Sequence, residues 1–367
     1  MKHWVRLVGC KRFYSLPKTT KSSPNPIKLD EKVITDQFQA LRDKYEAPRY
    51  PIVLCHGFSG FDQLSILPHK QRMEHLLHGA GFLKLDYWFG IKEALQDIGS
   101  NVLIARVPAF GRIKNRANSL NDFINQQCET LRKSESKRTM YNEKRASSSG
   151  GNEDSDSGSE SDSSHTFEQR EKPIKINLIA HSMGGLDCRY LISQLKHSNY
   201  QVVSLTTVAT PHHGSECADF LMEVARGTPL QKLFPASIAE LTTSYLKEFN
   251  RTVPNDRNVA YFSYGARFKP HWYNVFLPTW NIIKMQMRKH NQDKKVISVD
   301  NDGIVSVASS KWGEYLGTLD EVDHLDLINW TNRARTTVDK ALFRKEPKFN
   351  AIALYLDIAD NLRKRGF

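Results

Sequence analysis

The segment at residues 174–185, IKINLIAHSMGG, constrains the fold of this chain more than any other stretch. Its apolar start predicts a buried strand, and the apolar spacing of the following LDCRYLISQLK predicts a helix. Ser182 lies at the turn between them, flanked by the small residues Ala180 and Gly184. A serine on a strained strand-to-helix turn is exposed as a nucleophile. Ser182 is therefore the first candidate catalytic residue, although an ordinary serine in a strand-to-helix loop would give the same pattern.

Apolar runs and helical patterns alternate along the rest of the chain. Three further runs predict strands: 51–55 (PIVLC), 101–107 (NVLIARV) and 201–209 (QVVSLTTVA). The spacing of apolar residues predicts helices over 30–47, 87–98, 116–131 and most of 331–367. This alternation predicts an α/β fold, with a mostly parallel sheet covered by helices on both faces.

The composition is that of a globular protein with reduced cysteines. Of 367 residues, 40% are apolar and 25% are charged, and no apolar run approaches the ~20 residues of a membrane-spanning helix. Residues 1–29 carry +7 and no acid, which leaves +5 of the net charge of +12 for the rest of the chain. That mild excess fits weak attraction to anionic lipid and does not indicate nucleic-acid binding. The five cysteines are odd in number and unpatterned, which predicts neither a disulfide framework nor a metal site.

Two segments are expected to lie outside the folded domain. Residues 1–29 are basic and acid-free, as in a mitochondrial transit peptide, and the run RFYS at 12–15 resembles a matrix-protease cleavage site. A disordered basic tail is the alternative. Residues 133–172 are rich in serine, glycine and acids, and we expect disorder there because they cannot bury enough apolar surface. The folded domain then consists of two parts, 30–132 and 173–367.

The turn after the first predicted strand supplies the next candidates. His56, Gly57 and Phe58 follow that strand directly, and glycine lets the backbone approach a reacting carbonyl group. The N–H groups of Phe58 and Met183 are the predicted oxyanion donors, because such a pair stabilises charge that appears only in a tetrahedral transition state. The alternative is that His56 and Gly57 only shape a turn.

Three motifs in chain order, PIVLCHG, NLIAHSMGG and TTVATPHHGS, resemble the triacylglycerol lipases of the α/β-hydrolase superfamily. The resemblance is to the bacterial family I lipases and the related yeast mitochondrial lipase, and it covers about residues 50–330 and the C-terminal helical tail. It implies a helical cap or lid at about 216–250, whose apolar lining contacts a lipid surface on opening. Ordinary amphipathic helices packed on the core would give the same pattern.

The same resemblance assigns the acid and the base of a catalytic triad. The sequence NDG at 301–303 places the acid at Asp302, and DHLD at 323–326 places the general base at His324. The order serine, aspartate, histidine is that of α/β-hydrolases. The rival acids are Asp300, Asp320 and Asp323, and the rival bases are His181, His212 and His213.

The resemblance also bears on metal binding. Its bacterial members hold a structural Ca²⁺ between an acid upstream of NDG and the second acid of H-x-D, which is Asp326 here. Residues 267–299 contain a single acid, Asp293, in a lysine-rich run that suits a loop. We therefore expect neither calcium nor any cofactor, and we expect Asp326 to anchor the histidine loop by hydrogen bonds.

These features predict a carboxylic ester hydrolase that cleaves acyl esters of glycerol, namely triacylglycerol and also diacylglycerol, through an acyl-enzyme. The expected partners are a neutral lipid substrate and, peripherally, a lipid surface or membrane, and the expected location is the mitochondrion. The closest alternative is a phospholipase or a lipid acyltransferase with the same triad. A catalytically inactive lipid-binding scaffold is the alternative from another class, and the intact Ser182, Asp302 and His324 argue against it.

Overall fold

The computed structural model describes six stretches of the chain: 32–58, 87–148, 172–229, 234–290, 298–330 and 348–367. The predicted transit peptide at 1–29 lies outside the described residues, as does most of the predicted insertion, at 149–171. Within the described stretches, no helix is both long enough and apolar enough to cross a membrane.

A seven-stranded sheet forms the centre of the described residues. Its strands are β1 (Val33–Ile34), β2 (Ile52–Cys55), β3 (Val102–Ile104), β4 (Ile174–His181), β5 (Tyr200–Val208), β6 (Ala260–Arg267) and β7 (Glu314–Asp320). They lie in the order β1-β7-β6-β5-β4-β2-β3, and every neighbouring pair is parallel. Because β4 lies between β2 and β5, the turns that follow these strands meet at one edge of the sheet. The predicted mostly parallel α/β sheet is confirmed.

Helices cover both faces of this sheet. They are α1 (Ile91–Asp97), α2 (Ile113–Ser148), α3 (Gly184–Gln194), α4 (Glu216–Ala225), α5 (Ala236–Glu240), α6 (Thr243–Thr252), α7 (Leu277–His290), α8 (Val307–Ser310) and α9 (Ala351–Lys364), with a 3₁₀ turn at Asp326–Ile328. One buried cluster joins the sheet to α1 and α9, and a second joins it to α2 and α3.

The alternation of side chains along β2 shows how the two layers arise. Ile52 and Leu54 belong to the cluster with α1 and α9, whereas Val53 and Cys55 belong to the cluster with α2 and α3. All four side chains are buried. A strand covered on both faces is continuously apolar, as the sequence PIVLC indicated.

Two predictions about the chain's organisation differ from the structure. Residues 32–47, the described part of the predicted helix 30–47, are not helical. Val33 and Ile34 pair instead with Thr318 and Leu319 of β7, because backbone pairing with a distant strand outweighs local helical spacing. Residues 133–148, predicted as disordered, are helical and continue α2. Their lysine, arginine, glutamate and methionine residues are good helix formers, which explains the extension.

The region predicted as a cap contains three helices, α4, α5 and α6. Leu246 and Phe249 of α6 pack in one cluster with Met183 and Leu186, beside the turn that carries Ser182. Cys217 of α4 packs in another cluster with residues of α7. These helices thus bury part of their apolar surface on neighbouring elements of the domain.

Candidate active site

Ser182 lies on a strained turn between β4 and α3. Its φ is 56°, a left-handed conformation that is uncommon for a residue other than glycine. Gly184 follows in close contact with the end of β2, since a Cβ there would lie 2.6 Å from the carbonyl oxygen of Cys55. The tight turn therefore requires a small residue at this position, as the motif indicated. Strain of this kind concentrates at functional sites.

The three predicted triad residues form one hydrogen-bonded chain. The Oγ of Ser182 lies 3.0 Å from the Nε2 of His324, and the Nδ1 of His324 lies 2.7 Å from the Oδ2 of Asp302. All three side chains are buried. Because the carboxylate accepts at Nδ1, the neutral imidazole carries its proton there and accepts the serine hydroxyl at Nε2.

Backbone groups fix the orientation of the acid. The Oδ1 of Asp302 accepts the N–H groups of Ile304 and Val305 at 3.0 and 2.7 Å. The backbone N–H of His324 donates to the carbonyl oxygen of Asp302 at 3.0 Å. The acid loop and the base loop are therefore joined through main chain as well as side chain.

The three rival acids have other roles in the structure. Asp300 and Asp320 both accept hydrogen bonds from the guanidinium of Arg267, at 2.8 and 2.7 Å. Asp323 accepts two backbone N–H groups of the following turn, at 3.0 and 2.9 Å. None of these contacts involves the imidazole of His324.

His181, a rival base, belongs to a hydrogen-bonded chain that sequence reasoning missed. Its Nδ1 lies 2.7 Å from the hydroxyl oxygen of Tyr87, and that oxygen accepts the N–H of Gly57 at 2.9 Å. Its ring centroid lies 4.5 Å from that of His324. Burial, and secondarily the neighbouring His324, holds the pKa of His181 well below its usual range. A neutral His181 accepts the Tyr87 hydroxyl at Nδ1.

The other two rival bases also have structural contacts. His212 is fully buried, with its Nε2 3.0 Å from the Oγ1 of Thr207. The backbone N–H of His213 donates to the Oγ of Ser309 at 3.1 Å. These contacts are made with Thr207 and Ser309 rather than with Ser182.

The turn after β2 lies directly against Ser182. A Cβ at Gly57 would lie 2.6 Å from the Cβ of Ser182, so any larger residue would displace the serine. The Nη2 of Arg116 donates to the carbonyl oxygens of His56 and Gly57 at 2.8 and 3.1 Å. Across a trans peptide the N–H points away from the C=O. The N–H of Phe58 is therefore directed away from Arg116.

Arg116 is itself held by a buried carboxylate. Its Nε donates to the Oδ2 of Asp187 at 2.8 Å, and both side chains are buried. Burial raises the pKa of Asp187 to about 7, against the lowering effect of Arg116. The only sequence signal for this pair was an acid within the apolar run that follows Ser182.

The second predicted donor, Met183, immediately precedes α3. The first N–H groups of a helix have no partner within the helix, and the helix dipole is positive at that end. The position of Met183 thus suits an oxyanion donor next to Ser182.

Asp326, the calcium candidate, is engaged within its own loop. Its Oδ2 accepts the N–H of Asp323 at 3.1 Å, while Asp323 caps the N–H of Asp326 in return. Among the described residues, no group of three histidines, cysteines or acids is placed to hold a metal ion. Asp293, the single acid in residues 267–299, lies outside the described residues. The contacts of Asp326 given above are those of a loop anchor.

Comparisons with known proteins show which families this chain is similar to. Residues 163–224 match the PGAP1-like alpha/beta domain family. Triacylglycerol lipase 2 of Saccharomyces cerevisiae is 37% identical over 354 residues, which cover 89% of this chain and 94% of the yeast protein. A triacylglycerol lipase of Pseudomonas fragi is 23% identical over 360 residues, covering 87% of this chain and 97% of the bacterial one.

The fold is also found among solved structures. Lipase 1 from Pelosinus fermentans matches with a TM-score of 0.51 and 18% identity, covering 86% of this chain and 99% of that protein. The resemblance suggested by the three sequence motifs is thereby confirmed. Because it is 37% identical to the yeast protein over most of both chains, this chain belongs to the triacylglycerol lipase family.

Proposed function

We propose that the protein hydrolyses acyl esters of glycerol, triacylglycerol and also diacylglycerol, through an acyl-enzyme on Ser182. The observation that carries this proposal is the hydrogen-bonded chain from Ser182 through His324 to Asp302, with links of 3.0 and 2.7 Å. The relatives named above are triacylglycerol lipases, which favours an acylglycerol as the substrate.

Each residue of the triad has its own role in the reaction. His324 takes the hydroxyl proton as Ser182 attacks the ester carbonyl, and then gives that proton to the leaving alcohol. Asp302 keeps the imidazole in the required tautomer and stabilises the imidazolium. In the second half-reaction His324 activates a water molecule, which releases the fatty acid. The side chains and backbone supply each step without a cofactor.

The N–H groups of Phe58 and Met183 are the proposed donors to the oxyanion. The orientation of the Gly57–Phe58 peptide by Arg116 and the place of Met183 at the start of α3 both support this assignment. Two fixed donors stabilise charge that is present in the transition state and absent from the ester, which is worth roughly 3–4 kcal/mol for each donor.

A mitochondrial location is part of the proposal. It rests on residues 1–29, which contain seven basic residues and no acid. We expect cleavage near the RFYS run at 12–15. Mass spectrometry of the protein isolated from mitochondria tests this: an intact Met1 contradicts the cleavage, and residence in the cytosol contradicts both parts.

Replacement of the nucleophile tests the reaction. We expect Ser182→Ala to lower kcat for ester hydrolysis by about 10⁶ while thermal unfolding stays native. Ser193→Ala, a serine substitution on the same helix, is the matched control and should retain activity. Activity of Ser182→Ala above a few per cent of wild type, in a natively folded protein, would contradict the assignment.

The choice of substrate separates the related reactions. Purified protein is given triacylglycerol, diacylglycerol, phospholipid and short water-soluble esters, each with and without an acceptor alcohol. The proposal predicts free fatty acid from acylglycerols. Dominant release from phospholipid identifies a phospholipase, and acyl transfer to the alcohol identifies an acyltransferase. No turnover of any ester identifies the inactive scaffold.

A further inference from the structure

Residues 268–290, the segment that follows β6, expose large apolar side chains. Trp272, Tyr273 and Val275, in the loop before α7, are 86%, 65% and 72% exposed. They are the three most exposed large apolar side chains among the residues that the structure describes. Met285 of α7 is 51% exposed as well. Apolar groups this exposed and this close in sequence indicate a contact surface.

The same segment is basic. Residues 268–290 contain Lys269, Lys284, Arg288 and Lys289 and no acid. The Nζ of Lys289 approaches Glu223 of α4 at 3.7 Å, so part of its charge is offset. The Nζ of Lys284 lies 4.6 Å from the ring centroid of Trp280. The segment thus combines aromatic and cationic groups.

One side of α7 packs on the protein and the other side faces solvent. Its Ile283 and Met287 are buried in a cluster with Cys217 of α4. On the opposite stripe, helical spacing aligns side chains that line one surface depression: Asn281, Lys284, Met285, Arg288 and Lys289. The packing of α7 on α4 therefore fixes which basic residues face solvent.

Contacts of this segment reach the loops of the active site. The Nδ2 of Asn274 lies 3.4 Å from the Oδ2 of Asp323, the residue before His324. Phe276 packs closely on Gly303, the residue after Asp302. A Cβ added to Gly303 would lie 2.5 Å from the Cβ of Phe276. These two contacts place residues 268–290 beside the loops of Asp302 and His324.

We propose that Trp272, Tyr273, Val275, Lys284, Met285 and Arg288 form a docking surface for an anionic lipid bilayer. The inference rests on the proposed function. It adds which surface of the protein binds the lipid aggregate and that this aggregate is anionic. Tryptophan and tyrosine favour the boundary between headgroups and acyl chains, and basic side chains are attracted to anionic headgroups.

A lipid partner fits this surface better than a protein partner does. Tryptophan, tyrosine, methionine and arginine also occur often at protein interfaces, but lysine, which is strongly hydrated, is depleted there. The lack of any acid in residues 268–290 favours a uniformly anionic partner such as a bilayer. At a bilayer, lysine and arginine keep their charge among the headgroups while their stems lie along apolar surface. Aromatic and basic side chains in one segment are typical of an interfacial segment.

Vesicle binding tests the docking surface without lipid turnover. The full chain carrying Ser182→Ala and Trp4→Phe is mixed with vesicles of phosphatidylcholine alone or with equimolar phosphatidylglycerol, with brominated acyl chains to quench tryptophan. We expect quenching on the anionic vesicles, and its loss in Trp272→Phe. In co-sedimentation, Trp272→Ala with Val275→Ala should bind about tenfold more weakly.

Charge is tested with matched variants. Lys284→Glu with Arg288→Glu should weaken binding to anionic vesicles about tenfold or more, because each basic residue near the surface contributes to the attraction. Lys44→Glu with Lys114→Glu changes the net charge equally at exposed sites elsewhere and is the control. Leu41→Ala is the control for an exposed apolar side chain, since Leu41 is 55% exposed.

The outcomes separate this inference from the proposed function. Unchanged vesicle binding in both docking-surface variants, or an equal loss in the controls, overturns the inference and assigns binding to net charge or to the basic residues 1–29. A change in self-association without a change in vesicle binding overturns it in favour of a second copy of the chain. In active protein the same substitutions should leave hydrolysis of a water-soluble ester unchanged. Failure of all ester hydrolysis would overturn the proposed function and leave vesicle binding still measurable.

Discussion

The Nη2 of Arg116 holds the carbonyl oxygen of Gly57 at 3.1 Å, which fixes the peptide that carries the N–H of Phe58. The same guanidinium donates to Asp187 of α3. One planar group therefore ties the turn after β2 to the helix that begins beside Ser182. Arg116 is a positioning residue in this arrangement, because it acts on the proposed oxyanion donor through the backbone.

Arg116→Lys should lower kcat for a short ester about 100-fold and change KM little, because an ammonium cannot span both Asp187 and the carbonyl oxygens of His56 and Gly57. Steady-state kinetics with a thermal unfolding control measure this effect. The matched control is Arg112→Lys, whose side chain is 63% exposed. A purely structural role predicts a lower melting temperature with the kcat of the remaining folded protein unchanged, which would contradict the positioning role.

Arg267 joins the segments that lead into the loops of Asp302 and His324. It binds Asp300, two residues before Asp302, and Asp320, four residues before His324. All three partners of this ion-pair triplet are partly exposed, so each pair is worth at most about 1 kcal/mol. The Arg267 ion pairs should therefore matter more for the positions of Asp302 and His324 than for the free energy of unfolding.

Arg267→Gln should lower kcat several-fold and the free energy of unfolding by about 1 kcal/mol. High salt should shift kcat and the free energy of unfolding of the wild type towards the values of the variant, because salt screens exposed charges. Arg251→Gln breaks a similar ion pair to Glu248, with a distance of 2.6 Å, far in sequence from the triad loops. If both variants have the same kcat, the Arg267 triplet does not position the loops.

Activity should not require calcium, because Asp326 is hydrogen-bonded within its own turn. Treatment with a chelator should leave ester hydrolysis and the melting temperature unchanged, whereas Asp326→Asn should lower both by weakening the reciprocal contacts with Asp323. A large loss on chelation that added Ca²⁺ restores would show that Asp326 has a metal-binding partner outside the described residues.

The predictable parts of this protein are those encoded locally. The strand, turn and helix around Ser182 follow from apolar spacing and two small residues, and the structure has them at those positions. The pairing of β1 with β7 joins residues 33–34 to 318–319, and no local pattern encodes so distant a partner. Likewise, helical spacing does not show which polar residues face inwards, so the buried pair of Arg116 and Asp187 was missed.

His212 should make stability depend on pH. Its ring is fully buried, with Nδ1 3.4 Å from the Nη1 of Arg189, and it stacks on Trp312 at a centroid distance of 5.2 Å. Burial, and then the positive charge of Arg189, holds the pKa of His212 well below its usual range. The folded protein therefore excludes a proton that the unfolded chain accepts below about pH 6.5.

Because of this lowered pKa, the folded protein loses stability as the pH falls. Stability from neutral His212 is fully present above about pH 6.5 and is lost as the pH falls, by up to about 1.4 kcal/mol per pH unit. The free energy of unfolding of His212→Gln should therefore fall less steeply with acidification than that of the wild type, whatever its absolute value. Denaturant titrations between about pH 7.5 and 5 measure the two slopes. His271→Gln, at an exposed side chain, is the control, and equal slopes for wild type and His212→Gln would show that His212 is not kept neutral.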